Sequence, residues 1–295
     1  MWPFRKRAAP PWSSTLGTGW TESTFAEKAW VEQRGAGFRW AVAGAIAGGV
    51  VGLVAFAPAA WLAQAVSAAT HGRIVFADAR GTIWSGSAVP VLTGGADSRD
   101  ASYLPGRLDW SLAPRYYGAQ LTLRQACCIN GALVIRLRPG FGRMAAVVPG
   151  TGSIGQWPNA WLVGLGVPFN TLQLGGTLRL TSPGGFTVES VEGRWRLDGR
   201  VDMDLDAVSS RLTTLDTLGS YKVQLNGNAA SGGAALLSVS TLDGPLQMVG
   251  SGTVGPGGVR FRGEARSAEA DEAALANLLN IIGRRDGARS IISIG

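Results

Sequence analysis

Residues 193–207, GRWRLDGRVDMDLDA, alternate apolar and polar side chains, and this alternation decides the fold class. Trp195, Leu197, Val201, Met203 and Leu205 fall on one face of an extended chain, and Arg194, Arg196, Asp202, Asp204 and Asp206 on the other. Successive side chains of a strand point to opposite sides, so one face is expected to be buried and the other solvated. The Asp198-Gly199 pair in the middle is favoured in type I′ turns, and the stretch reads as a hairpin. Similar alternation recurs at 177–180, 221–225, 246–254 and 259–266, and more weakly at 73–91, 107–113, 119–124 and 132–137. The expectation is one β-rich domain over 73–295 with an apolar and a polar sheet face. Forty-three glycines and fourteen prolines, without a Gly-X-Y period, suit many strands joined by tight turns.

Two segments depart from this pattern. The stretch 149–170, PGTGSIGQWPNAWLVGLGVPFN, is irregular; a short helix at 160–165 is expected to divide the domain into two sheet halves. Near the end Ser267 is placed to cap a helix, with Glu269, Asp271 and Glu272 at its positive pole. Leu275, Leu278, Leu279 and Ile282 form one apolar stripe, Gly283 stops the helix, and 291–294 can return as a strand.

Upstream of the domain, residues 40–69 carry no charged side chain. The run AVAGAIAGGVVGLVAFAPAAWLAQAV exceeds the roughly 20 residues that cross a bilayer, which predicts a transmembrane helix over 40–66. Arg5, Lys6, Arg7, Arg34 and Arg39 precede it and the next basic residue is Arg73, so residues 1–39 are expected to be a flexible cytoplasmic tail. The long leader and long apolar run favour a retained anchor over a cleaved signal peptide. Gly44, Gly48 and Gly52 recur every four residues, a spacing that lets another helix approach, although composition alone also produces it.

Of the formal charge of +7, +3 lies in residues 1–39 and the remaining +4 is spread singly along the rest of the chain, with no dense basic stripe in the β region, and nucleic acid is not an expected partner. His71 is the only histidine, which removes Ser-His and Cys-His catalysis and multi-histidine zinc sites. The GxGxxG string at 150–155 runs into Trp157-Pro158 instead of a long helix and reads as a loop. Asp202, Asp204 and Asp206 offer a row of carboxylates to calcium, but no EF-hand loop accompanies them and a solvated strand face is the simpler reading. Cys127 and Cys128 are adjacent and are the only cysteines. Buried thiols, a vicinal disulfide, a bridge to another molecule and, last, redox catalysis are all open to them. No cofactor, metal or catalytic residue is expected, and the chain reads as a non-enzyme.

The motifs GTIWSGSA (81–88), RLDWSLAP (107–114), GTLRL (176–180), LTTLDTLGSYKVQLNG (212–227), STLDGPLQMVGSGTV (240–254), VRFRGEA (259–265) and LLNIIGRRDGARSIISIG (278–295) resemble the type II secretion system protein N family. That resemblance implies a mainly β chain with a single N-terminal transmembrane helix, a curved antiparallel sheet or incomplete barrel of AsmA-like type, and a short C-terminal helix. It implies an accessory inner-membrane protein with a periplasmic main domain, aiding export of folded periplasmic proteins across the outer membrane. The implied partners are the inner-membrane platform, the secretin, or a second copy of the chain. A lipid-handling module with an apolar groove is the alternative. Cys127 and Cys128 match no function of the family.

Overall fold

The computed structural model describes residues 19–295 apart from 96–97, 141–142, 151, 167–168, 192–193, 229–232 and 256, with side chains from residue 37 onward. It contains two compact units, Met1–Phe56 and Ala57–Gly295. The first is one helix, α1 (Gly19–Ala55). This helix includes the part of the leader from Gly19 onward, while residues 1–18 lie outside the described residues. Ala26, Glu27, Lys28 and Ala29 are good helix formers, and extending an existing apolar helix avoids the cost of a new nucleus.

The apolar run expected as one helix over 40–66 is divided. Proline lacks an amide proton and pushes the preceding residue out of helical geometry. Pro58 accordingly separates α1 from α2 (Ala59–Ala69), and Ala57 and Ala59 are buried in the second unit.

The second unit is built on a 17-stranded antiparallel sheet. Its strands are β1 (Ile74–Gly81), β2 (Ser85–Thr93), β3 (Ala101–Tyr103), β4 (Leu108–Arg115), β5 (Gly118–Arg124), β6 (Leu133–Gly140), β7 (Arg143–Val148), β8 (Gly152–Pro158) and β9 (Leu174–Ser182). There follow β10 (Phe186–Val191), β11 (Arg194–Ser210), β12 (Gly219–Gly227), β13 (Ala235–Asp243), β14 (Leu246–Gly255), β15 (Gly258–Ser267), β16 (Arg284–Asp286) and β17 (Arg289–Ile294). The path is a meander. β3 and β4 lie end to end along β2; β7 and β8 lie along β10 and β9, which in turn lie along β11. Among the described pairings none joins β1 to β16 or β17, so the sheet is open.

Because neighbours alternate in direction, connections fall at two ends. One rim carries the turns after β1, β4, β6, β10, β12 and β14, and the chain enters there: Ile83 N donates to Ala57 O at 2.9 Å. The opposite end carries the turns after β5, β11 and β13 and two helical insertions. These are the 3-10 helix Asn159–Leu165 with α3 (Phe169–Leu172), and α4 (Glu272–Ile282).

The registers place Trp110, Leu123, Leu133, Val188, Leu197, Leu225 and Leu237 on one continuous apolar face. Near β1, α2 covers it: Ala59, Ala88 and Trp110 are buried, with Leu62, Phe76 and Leu123 against them. At the far side α4 covers it: Leu275, Leu278 and Leu279 pack on Val208, Leu218, Tyr221, Leu246 and Ala265. The predicted leucine stripe is the buried one.

Several local expectations fail for identifiable reasons. Asp198-Gly199 is no turn, since β11 runs 17 residues straight through it. Gly199 has φ +101°, and a Cβ there would lie 2.6 Å from Gly185 O; the glycine is needed where β11 exchanges β10 for β9 as partner. Trp195, expected to be buried, is 38% exposed, because it opens β11 at the rim, where no helix lies over the sheet. Asp202, expected in solvent, is 4% exposed and takes a 2.7 Å bond from Arg200 Nε. The 149–170 stretch does not split the sheet, because β8 and β9 pair on either side of the insertion. Ser267 ends β15 instead of capping a helix, and α4 starts from Asp271 without a side-chain cap.

Candidate functional site

In α1 the stretch Gly37–Ala55 is long and apolar enough to cross a membrane, and none of it is buried in the first unit. Gly44, Gly48 and Gly52 stand one above another, because four residues make slightly more than one turn. No heavy atom lies within 4 Å of a Cβ placed on any of them. Exposed Ile46 and Val50 lie between them in sequence, and exposed Leu53 follows Gly52. The arrangement offers bare backbone to a helix of similar kind.

In the β domain the turn between β5 and β6 is held by a disulfide and by hydrogen bonds to two other segments. The sulfurs of Cys127 and Cys128 are bonded to each other, with Cα atoms 3.7 Å apart. Cys128 is buried, whereas Cys127 is exposed beside the Pro105 carbonyl. Ile129 is bridged to Gly155, so the turn lies against β8. Gln125, 2% exposed, donates through Nε2 to Pro105 O, Asn130 N donates to Ile154 O at 3.0 Å, and Gln156 N donates to Cys128 O at 2.7 Å. Gly155 permits this approach, since a Cβ there would lie 2.3 Å from Cys128 O. Beside it, Asn159 Nδ2 donates to Gly175 O, Asn170 Nδ2 to Asp100 Oδ2 and Ser210 Oγ to Leu172 O, tying the insertion to both flanking parts of the sheet.

The carboxylate row on β11 is matched by cations. Arg200 bonds Asp202, Arg179 lies 3.2 Å from Asp206, and Lys222 lies 3.7 Å from Asp204. Asp202 holds the Arg200 guanidinium above its ordinary pKa. Among the described residues no group of three or more His, Cys, Asp or Glu is placed to hold a metal ion. His71 sits at positive φ in the link between α2 and β1. The GxGxxG string runs into β8, without the helix that would present amides to a phosphate.

Periodicity gave no hint of a cluster on Asp78, at positive φ where the register of β1 shifts. Arg107 donates to Asp78 Oδ2, Asp78 O and Ser87 Oγ, and Arg80 donates to Asp78 Oδ1. The hydrogen bond from Arg107, then that from Arg80, holds the Asp78 carboxyl below the usual aspartate range. Nearby, Trp110 Nε1 donates to Thr82 O at 3.2 Å and its ring stacks on Phe76. The sequence signal for this cluster lies in the strings 81–88 and 107–114, which the fold brings side by side on β2 and β4.

Fold and site together define a scaffold: an apolar helix, then an open sheet whose motif residues serve packing and internal hydrogen bonds. The model of the family described as type II secretion system (T2SS), protein N matches residues 72–292, and the chain belongs to that family. It is a component of the type II secretion system. No curated protein and no solved structure matches the chain.

Proposed function

We propose that the chain is a single-pass inner-membrane subunit of the type II secretion system, with residues 1–39 in the cytoplasm and the β domain in the periplasm. On this reading it aids export of folded periplasmic proteins through contacts with the inner-membrane platform, the secretin, or a second copy of itself. The observation that carries the proposal is the exposed apolar stretch Gly37–Ala55 placed directly ahead of the family-matched domain. The basic residues of the leader favour this orientation. In that oxidising compartment the Cys127–Cys128 bridge is the expected state, and the Gly44, Gly48, Gly52 row is the expected helix contact.

A periplasm-dependent reporter fused after Gly295, combined with crosslinking in cells and a secretion assay on a deletion strain, tests the reading. Expected results are an active reporter, crosslinks to secretion components, and lost export from an intact envelope. An inactive reporter, or unimpaired export in the deletion strain, would sink it. A second reading, lipid handling, draws on the apolar sheet face between α2 and α4. Stoichiometric phospholipid in gently purified protein, together with normal export on deletion, would favour it.

A further inference from the structure

We propose that the rim where the chain enters the β domain is a contact surface for anionic phospholipid headgroups. The proposal rests on the membrane-anchored reading above. Ala57 is fixed at this rim by its bond from Ile83 N, and Pro58 is bridged to Thr82. Phe56 alone separates Ala57 from Ala55, the last residue of the apolar stretch. Two Cα steps of about 3.8 Å therefore bound the distance from rim to span.

The chemistry of the rim suits a membrane surface. The β4–β5 turn presents Tyr116 and Tyr117, 92% and 82% exposed, with rings edge to face at 4.7 Å. Aromatic rings with one polar tip favour the headgroup level. Arg115, Arg138, Arg143, Arg194 and Arg260 lie within two residues of strand ends at this rim and are exposed. The acids in those spans are Glu192 and Glu189, and Glu189 accepts a 3.0 Å bond from Arg196. Met144 and Ile294, both more than half exposed, add apolar contacts. The opposite end also carries arginines, Arg73, Arg124, Arg211 and Arg289 among them, beside Asp243 and Asp286. The short tether to the span, and not a difference in charge between the two ends, selects this rim, because the attraction of arginines to anionic lipid fades within a Debye length.

Hydrogen–deuterium exchange of the full-length protein provides the test, in nanodiscs of phosphatidylcholine alone or mixed with phosphatidylglycerol. Co-elution with the nanodisc reads the anchor, and deuterium uptake at 114–118 and 143–146 reads the rim. With phosphatidylglycerol, uptake at the rim should slow while uptake at 243–248 stays constant. Arg138→Glu, Arg143→Glu and Arg260→Glu combined should abolish the slowing, since loss of each positive charge alone weakens the contact about fivefold and the added carboxylates repel the lipid. Tyr116→Ser with Tyr117→Ser, confined to an exposed turn, should weaken it without touching the sheet, so the test survives any misfolding of the arginine variant. Co-elution with the same rim uptake in both lipids would overturn the proposal and leave the anchor standing. Failure to co-elute would overturn the anchor and this proposal with it.

Discussion

Replacing Tyr221 by phenylalanine removes one hydroxyl from the core under α4 and tests both its hydrogen bond and its titration. The side chain is 5% exposed, and its hydroxyl lies 2.9 Å from Leu246 O and 3.2 Å from Leu218 O. A phenol has one proton, and Leu218 O also accepts from Leu246 N, so Leu246 O is the acceptor that loses most. The expected cost near neutral pH is about 1 kcal/mol. Burial raises the phenol pKa well above its ordinary 10.0. A group whose folded pKa is raised contributes stability that is complete below the unfolded pKa and is lost as pH rises beyond it. At about pH 11 the unfolded tyrosine is largely ionised and the folded one is not, a difference of roughly 1.4 kcal/mol that the phenylalanine variant does not suffer. The two stability curves should therefore cross between about pH 10 and 11. Denaturant melts of both proteins across that range provide the assay. Parallel curves, with the parent more stable at every pH, would refute the buried-phenol reasoning.

Leu278→Ala empties a side chain that is 1% exposed beneath α4 and should cost about 3 kcal/mol in a denaturant melt; a loss below about 1 kcal/mol would show α4 to be loosely docked. Arg107→Ala removes the largest cause of the lowered Asp78 pKa. A depressed carboxylate contributes stability above its unfolded pKa and loses it as pH falls through the folded value, so the parent's stability advantage over the variant should shrink as pH falls through that window; an advantage that does not change with pH contradicts the pairing. Gly155→Ala forces a Cβ against Cys128 O and should raise hydrogen exchange at 125–131, and native protection there would mean that the turn is held by other contacts. Gly48→Leu should leave insertion and domain folding intact while weakening co-purification of secretion components, with a Val51 substitution as control; parent-like assembly would reduce the glycine row to composition.

How much was legible in the sequence depended on whether the cause was local. Alternation at 193–207 announced a strand with an apolar face, and the leucine spacing in 275–282 announced a helix with a buried stripe, because both periods come from backbone geometry. The uncharged run was legible as an apolar helix for the same reason. Where strands turn is less local. Asp198-Gly199 has the chemistry of a hairpin, yet β9, β10 and β12 hold both sides of β11 and draw the chain straight through, leaving Gly199 as a pivot. Tryptophan in an alternating pattern suggests core, but Trp195 opens β11 at the rim and is 38% exposed, since burial depends on which segment lies over which strand. Asp202 is buried in the middle of β11, where Arg200 neutralises it. The family motifs show the same division: 81–88 and 107–114 were recognisable as strings, but their physical sense, Gly86 opposite Trp110 and Arg107 on Asp78, exists only after β2 and β4 have paired. The sequence by itself determined period, composition and membership; pairing partners, the docking of the Cys127–Cys128 turn against β8 and the meeting of Arg107 with Asp78 were decided by tertiary structure, because each depends on segments far apart in the chain meeting in one register.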